Sequence, residues 1–201
     1  MSSKPIFFSN HRKRKKNLAI KNINDQSDLS KNMNNHNILD IGFGDGDSII
    51  KAKKKENQKI YGIESYEIGI NKVITHISEV KMKNIYLYKG DVVEIIDIFP
   101  DKFFDCVKIF FPDPWPKRRH HKRRFLSKYF LTRLKDKVKK TNEVHITSDH
   151  INFVFDTKRI VNEYLKKNLH FSNHRSDRPI TKYEEKALSK RHIIFDIIFN
   201  L

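Results

Sequence analysis

Five short apolar runs, Asn37 to Ile41, Lys59 to Ile63, Ile85 to Tyr88, Asp105 to Phe110 and Glu143 to Thr147, are separated along the chain by amphipathic stretches of helical length. Runs rich in Ile and Val on both faces belong to strands buried on both sides, and the helical spacers supply the cover. The expected architecture is an α/β open sandwich, a mostly parallel sheet with helices on both faces. A last apolar run, His192 to Phe199, reads as a strand that could close the sheet at one edge. With 38% hydrophobic residues and only 6 Gly and 6 Pro, the chain can bury a substantial core, which excludes a disordered or low-complexity protein. No internal repeat is visible.

The charge balance bears on partners. Lys and Arg number 41 against 24 Asp and Glu, a formal net charge of +17, which makes a polyanion the leading partner class. A lysine-decorated surface with no selected ligand is the competing explanation, so charge alone decides little. From Met1 to about Asn35 the chain is polar and contains the basic run His11 to Lys16. Residues 1–35 are therefore expected to form a basic, mobile arm, and 36–201 the folded domain. The single cysteine, Cys106, excludes an intrachain disulfide framework and a cysteine-based zinc site, so no metal is expected and a reducing compartment fits. No apolar run approaches the roughly 20 residues of a membrane span and the Met1 region lacks an apolar signal core, so a soluble, cytoplasmic protein is expected.

The segment Ile38 to Asp47, reading ILDIGFGDGD, takes a buried strand into a glycine turn and then into a helix starting near Ser48. Such a turn, with Gly42 and Gly44 at its centre, is a nucleotide-cofactor loop. A pyrophosphate would meet Asp45 and Asp47 there and be repelled, whereas a cofactor carrying a sulfonium and an α-amino group would meet complementary charge. S-adenosylmethionine fits better than a dinucleotide. Asp40, flanked by Leu39 and Ile41, needs a partner to offset its desolvation, and a bound ammonium would be one. Glu64, ending the second strand, stands where an acid binds ribose hydroxyls, and Asp91, after the third, where a carboxylate could take the adenine amino group. Asp91 is equally placed to cap the helix that follows.

After the fourth strand comes Phe111 to Arg124, FPDPWPKRRHHKRR. Three prolines in this run cannot continue a strand or a helix, and they fix an extended turn at the carboxyl edge of the sheet, where open α/β folds bind ligands. Asp113 is expected to be held rigidly there. Trp115 offers a surface for a base, and the cations that follow can hold phosphates.

This run, together with LDIGFGDG, YGIE, ITSDH and RPITKYEEK, resembles the bacterial tRNA (guanine-N7)-methyltransferase family from about Ile38 to Phe199. The resemblance implies a Rossmann-like methyltransferase fold that uses S-adenosyl-L-methionine to methylate N7 of guanosine 46 in the tRNA variable loop. It implies cofactor contacts at Asp40, Glu64, Asp91 and Asp113, with Asp113 also the catalytic residue. Substrate contacts are implied at Lys117, Asp149, Thr181, Lys182, Tyr183 and Glu184. RNA contacts are implied along Arg119, His120, His121, Lys122, Arg123 and Arg124. The family usually has glycine in the loop before the last strand, where this chain reads Ser189, Lys190, Arg191, His192, and that puts the local turn in doubt. Monomer and homodimer are both compatible with the residues, which do not choose between them.

Guanine N7 has an in-plane lone pair and no proton, so Asp113 is expected to orient the base and stabilise its growing positive charge rather than to abstract a proton. Two rival readings remain at this level. An amino methyltransferase acting on adenine or cytosine would carry Asp or Asn, two prolines and an aromatic after the fourth strand, but here a single proline separates Asp113 from Trp115. A non-catalytic RNA-binding relative would require a broken glycine loop or a lost Asp113, and both are intact. T-x-x-E at Thr181 to Glu184 is also a capping box, so helix initiation competes with substrate contact there.

Overall fold

A computed structural model describes residues 18–20, 26–52, 57–166 and 168–201. In chain order the elements are β1 (Leu18–Ile20), α1 (Gln26–Lys31), β2 (His36–Ile41), α2 (Asp47–Ile50), β3 (Gln58–Glu64), α3 (Glu67–Glu79), β4 (Ile85–Lys89), α4 (Val92–Ile95), β5 (Phe104–Phe110), α5 (Lys128–Lys137), β6 (Val138–Ser148), α6 (Ile151–Leu165), β7 (Phe171–Ser172), α7 (Lys182–Ser189) and β8 (Phe195–Phe199). Short 3-10 turns at Ile96–Ile98 and Arg118–Arg123 complete them.

The eight strands form one sheet in the order β1-β4-β3-β2-β5-β6-β8-β7. The five central strands β4, β3, β2, β5 and β6 run parallel, while β1, β8 and β7 are antiparallel to their neighbours. Alternation along β2 and β3 shows why helices must cover both faces. Ile38 and Ile60 pack with Ile49, Ile70 and Val73 of α2 and α3, whereas Leu39, Ile41, Tyr61 and Ile63 join the larger core with Val93, Phe130, Phe153 and Val154 from α4, α5 and α6. Phe99, Phe103 and Phe104 surround Tyr61 edge-on in that core. Asp40 and Gly62 lie opposite one another on the α2/α3 face.

Three sequence expectations change. The last strand does not close the sheet, because the two residues of β7 pair outside it with β8. β6 begins at Val138 rather than Glu143: Val138 pairs Phe104, and after an irregularity over Lys139 to Asn142, which carry no apolar signature, the pairing resumes with Glu143 against Cys106. The domain also starts before residue 36. Leu29 is buried in the main core, and Asn32 donates through Nδ2 to the Tyr61 hydroxyl. Residues 1–17 of the expected arm, with its basic run, lie outside the described residues, as do 21–25.

The strand order reverses between β2 and β5, so the loops after these two strands diverge and leave a crevice at the carboxyl edge of the sheet. The glycine loop follows β2 and the proline run follows β5. Among the described residues, no helix is long and apolar enough to cross a membrane.

Candidate active site

The glycine loop is made by backbone that side chains would disfavour. Gly42, Gly44 and Gly46 have φ of 70, 53 and 85°. At Gly46 a Cβ would sit 2.0 Å from Val73 Cγ2, so glycine is what allows α3 to pack against the turn. At Gly44 a Cβ would come within 3.2 Å of Tyr183 Cε2, which puts the tyrosine ring directly on the loop. Gly69, in the first turns of α3, performs the same service from the other side, because a Cβ there would lie 2.2 Å from the Gly44 carbonyl oxygen. Sequence reading passed over Gly69. The signal available was a glycine inside a helical pattern, which marks close approach.

Glu64, at the end of β3, braces this loop. One carboxylate oxygen accepts from the Gly44 N–H at 2.7 Å and the other from the Ser65 and Tyr66 N–H groups at 2.6 and 2.8 Å. Asp91 caps α4, accepting from the Val93 N–H at 2.9 Å. Asp40 is 2% exposed. Burial pushes its pKa up to about 6, against a hydrogen bond from Ser48 and the charge of Lys108 beside it on β5.

Asp45 and Asp47 are tied up by the protein itself. Asp45 ion-pairs with Lys72 at 2.9 Å and Lys182 at 3.3 Å, and the Lys72 hydrogen bond foremost holds its carboxyl below the usual range. Asp47 accepts from the Lys182 N–H at 2.8 Å and pairs with Lys51. These acids are therefore less available to a cofactor than the sequence suggests, and they bolt the start of α7 to the glycine loop. Asp40, Asp45, Asp47, Ser48, Phe110, Thr181 and Tyr183 line one cleft. Within it Asp40 is the carboxylate without a lysine hydrogen-bonded to it, and a cationic amino group fits that lining while a pyrophosphate does not.

The proline loop begins directly after Phe110, which lines the same cleft. Asp113 is exposed, and among the described residues its carboxylate accepts no hydrogen bond and forms no ion pair. Tyr183, 56% exposed, lies against Gly44 and within electrostatic reach of Asp113. Burial first, then the charges of Asp45, Glu64 and Asp113, raise its pKa and keep the phenol protonated. Trp115 is partly covered, with the Arg123 guanidinium 4.8 Å from its ring centre and His120 edge-on at 5.8 Å. One indole face is thus taken, which narrows the surface for a stacking base. Lys117, Arg119 and Lys122 are exposed beside it, and His120, His121 and Arg123 are half-buried. Asp149 pairs with His192 Nδ1 at 2.7 Å, linking the start of α6 to the turn before β8.

Two expected contacts do not reach a ligand surface. Glu184 is 0% exposed; its carboxylate is held by Arg178 and by Arg175 Nε at 3.0 Å, so it cannot touch a substrate. The same Arg178 donates through Nε to Asp196 Oδ1 at 3.1 Å, and Asp196 accepts from or pairs with His145 Nε2 at 2.6 Å. Arg124 is buried as well, its guanidinium turned inward to the Pro114 carbonyl and to Asp156 rather than toward an RNA face. Thr181 does cap α7, its Oγ1 accepting from the Glu184 N–H at 3.2 Å, yet it also lines the cleft. Lys182 is exposed at its side chain. Among the described residues no group of three or more His, Cys, Asp or Glu could hold a metal ion.

A family model described as "Putative methyltransferase" matches residues 34–197. A tRNA (guanine-N(7)-)-methyltransferase of Buchnera aphidicola subsp. Acyrthosiphon pisum is 37% identical over 173 residues, 82% of this chain and 72% of that protein. Among solved structures, an antibiotic-related methyltransferase superposes with a TM-score of 0.67 at 17% identity, over 92% of this chain and all of the other. A SAM-dependent methyltransferase from Archaeoglobus fulgidus gives 0.55 at 16%, over 88% and 92%. The fold is thus the Rossmann-like methyltransferase fold, and the cleft around Asp40 suits a charged amino group. With a family match across most of its length and a relative above a third identical, the chain belongs to the tRNA (guanine-N7)-methyltransferase family.

Proposed function

We infer that the protein methylates N7 of guanine in tRNA with S-adenosyl-L-methionine, and that the target is guanosine 46 of the variable loop. The observation that carries this reading is Asp113, an exposed carboxylate that has no hydrogen bond or ion pair among the described residues, in the loop after β5 and close enough to Tyr183 of the acid-lined cleft to act on its ionisation. A carboxylate left without an internal partner beside a cofactor loop is available to orient a base. The name of the Buchnera relative supports the choice of guanine and of tRNA.

The cofactor supplies an electrophilic methyl group on a sulfonium. Asp40 would hold its amino group, Glu64 its ribose hydroxyls and Asp91 its adenine amino group, while Gly42 and Gly44 let the backbone approach. Asp113 accepts hydrogen bonds from guanine N1 and N2. No base has to remove a proton from N7, so alignment of nucleophile and methyl group is the main contribution, about 7–11 kcal/mol when complete. The Asp113 charge also stabilises the positive charge that spreads over the purine. Tyr183 and the open part of Trp115 would bound the base, with Thr181 on the cleft wall and Lys117, Asp149 and Lys182 as further substrate contacts. Arg119, Lys122, Arg123, His120 and His121 would meet tRNA phosphates.

Mass spectrometry of nucleosides from tRNA incubated with the protein and labelled cofactor tests this directly. 7-Methylguanosine is expected, and it should vanish from a transcript carrying adenosine at position 46. A methylated exocyclic amine would point to the adenine or cytosine enzymes instead. Absence of any product would leave a non-catalytic RNA binder.

A further inference from the structure

Three prolines stiffen the loop that carries Asp113, but a proline has no backbone N–H with which to tie that loop down. The flanking residues Phe111 and Trp115 have φ of 51 and 42°. Left-handed backbone at a residue with a Cβ costs roughly 1–2 kcal/mol and persists only where the surroundings impose it. Among the described residues, the only hydrogen bonds that reach 112–116 come from one side chain. Arg124 donates through Nε to the Pro114 carbonyl at 2.9 Å and through Nη2 to the Trp115 carbonyl at 3.4 Å. Its third arm, Nη1, meets Asp156 Oδ2 of α6 at 2.9 Å, and the guanidinium lies 5.6 Å from the centre of the Phe153 ring. The side chain is 3% exposed.

Given the reading that Asp113 orients the guanine, we propose that Arg124 is a positioning residue for methyl transfer: it ties the Asp113 loop to α6, with Asp156 as its anchor. Two carbonyls and a carboxylate in three directions call for a planar fork, which a lysine ammonium does not provide. A phosphate cannot compete for this guanidinium, because the pocket is closed to solvent. The two carbonyls it grips immediately follow Asp113, so a loosened grip would be felt at that carboxylate first. Asp156 is in turn steadied by Arg159 at 2.7 Å, one helical turn on.

Trp115 is the chain's only tryptophan, so its emission reports on this loop alone. The test uses the full chain as Arg124→Lys and as Asp156→Asn, each checked for folding by circular dichroism. In Arg124→Lys, acrylamide quenching of Trp115 should increase. The single-turnover methylation rate at saturating tRNA and cofactor should fall on the order of 100-fold, as for a misplacement of about an ångström. The salt dependence of tRNA binding should stay that of the wild type. Asp156→Asn, which keeps an acceptor oxygen for Nη1, should shift quenching and rate the same way by less. Wild-type quenching in folded Arg124→Lys, or a loosened Trp115 at wild-type rate, would each overturn the assignment. Should Arg124→Lys not fold, Asp156→Asn is judged by the same readings. A failure of the wider functional reading appears separately, as missing 7-methylguanosine with the wild-type protein, while the quenching comparison still judges the clamp.

Discussion

Asp113 takes part in no internal hydrogen bond or ion pair among the described residues, so its removal should change stability by no more than about 0.5 kcal/mol. Asp113→Ala is expected to abolish methylation while tRNA affinity stays nearly that of the wild type, because phosphates are held by other residues. Equal losses of binding and turnover, measured on the same preparation, would make Asp113 part of the scaffold. Arg119 and Lys122 sit a few residues away with exposed side chains. Neutralising either should weaken tRNA binding and lower its log-log salt slope by roughly one unit for each phosphate no longer neutralised. Slopes equal to the wild type's would leave these cations as a solvated face. His120 differs from them: loss of hydration, then the charges of Arg123 and Arg119, hold its imidazole below its ordinary pKa, so it contributes hydrogen bonding rather than charge at neutral pH.

Around α7 the chain joins the cofactor loop to the substrate side, and its two ends are held by different means. At the start, Thr181 caps the helix and the Lys182 N–H and ammonium engage Asp47 and Asp45. Thr181→Ala should therefore lower stability by about 0.5–2 kcal/mol, and if Thr181 also meets the substrate, catalytic efficiency per folded molecule should fall as well; thermal melts and tRNA kinetics on one preparation separate the two. Glu184→Ala, by leaving Arg175 and the buried Arg178 without this carboxylate, and Arg178 with Asp196 alone as its acid among the described residues, should cost more, roughly 3–5 kcal/mol. At the other end Arg191 adopts φ of 60°, with its N–H on the Leu188 carbonyl and the His192 N–H on that of Ala187. This is the turn where the family pattern has glycine, and the chain makes it with a strained arginine instead. Arg191→Gly should raise stability by up to about 1 kcal/mol, since relief of strain exceeds the extra entropy glycine carries in the unfolded chain; an unchanged or lower melting temperature would mean that the arginine side chain has compensating interactions. The central strands were legible because Ile and Val recur on both faces over short runs. The Arg175–Glu184–Arg178–Asp196–His145 network was not, because charged residues in sequence read as surface and their mutual neutralisation exists only once distant segments meet.

The parallel order, with its reversal between β2 and β5, brings the glycine loop and the proline loop together, and both were legible as local strand-to-turn motifs. The interactions that make one site of them were hidden by sequence distance: Arg124 and Asp156 lie 32 positions apart, Lys182 and Asp47 135. One property of the assembled molecule follows from Asp40. Its folded pKa, about 6, lies above the ordinary value of 3.8, and burial is the chief cause. Its protonation therefore favours the fold below about pH 4, and that contribution, roughly 3 kcal/mol, is lost as pH rises through about 6. Asp196 works in the opposite sense. Burial opposes its ionisation, but hydrogen bonds from His145 and Arg178 hold its pKa below the usual range, so its contribution is present above about pH 4 and lost as pH falls through the lowered value. If the cofactor's ammonium sits against Asp40, binding selects the ionised carboxylate and removes its penalty. The rise in melting temperature produced by S-adenosyl-L-methionine should then grow from about pH 5 to about pH 7, a range in which the α-ammonium stays charged. Asp40→Asn should show a smaller rise with no such growth. Because other carboxylates titrate equally in both proteins, the difference between them isolates Asp40. A rise independent of pH in the wild type, or the same growth in Asp40→Asn, would move the ammonium elsewhere in the cleft.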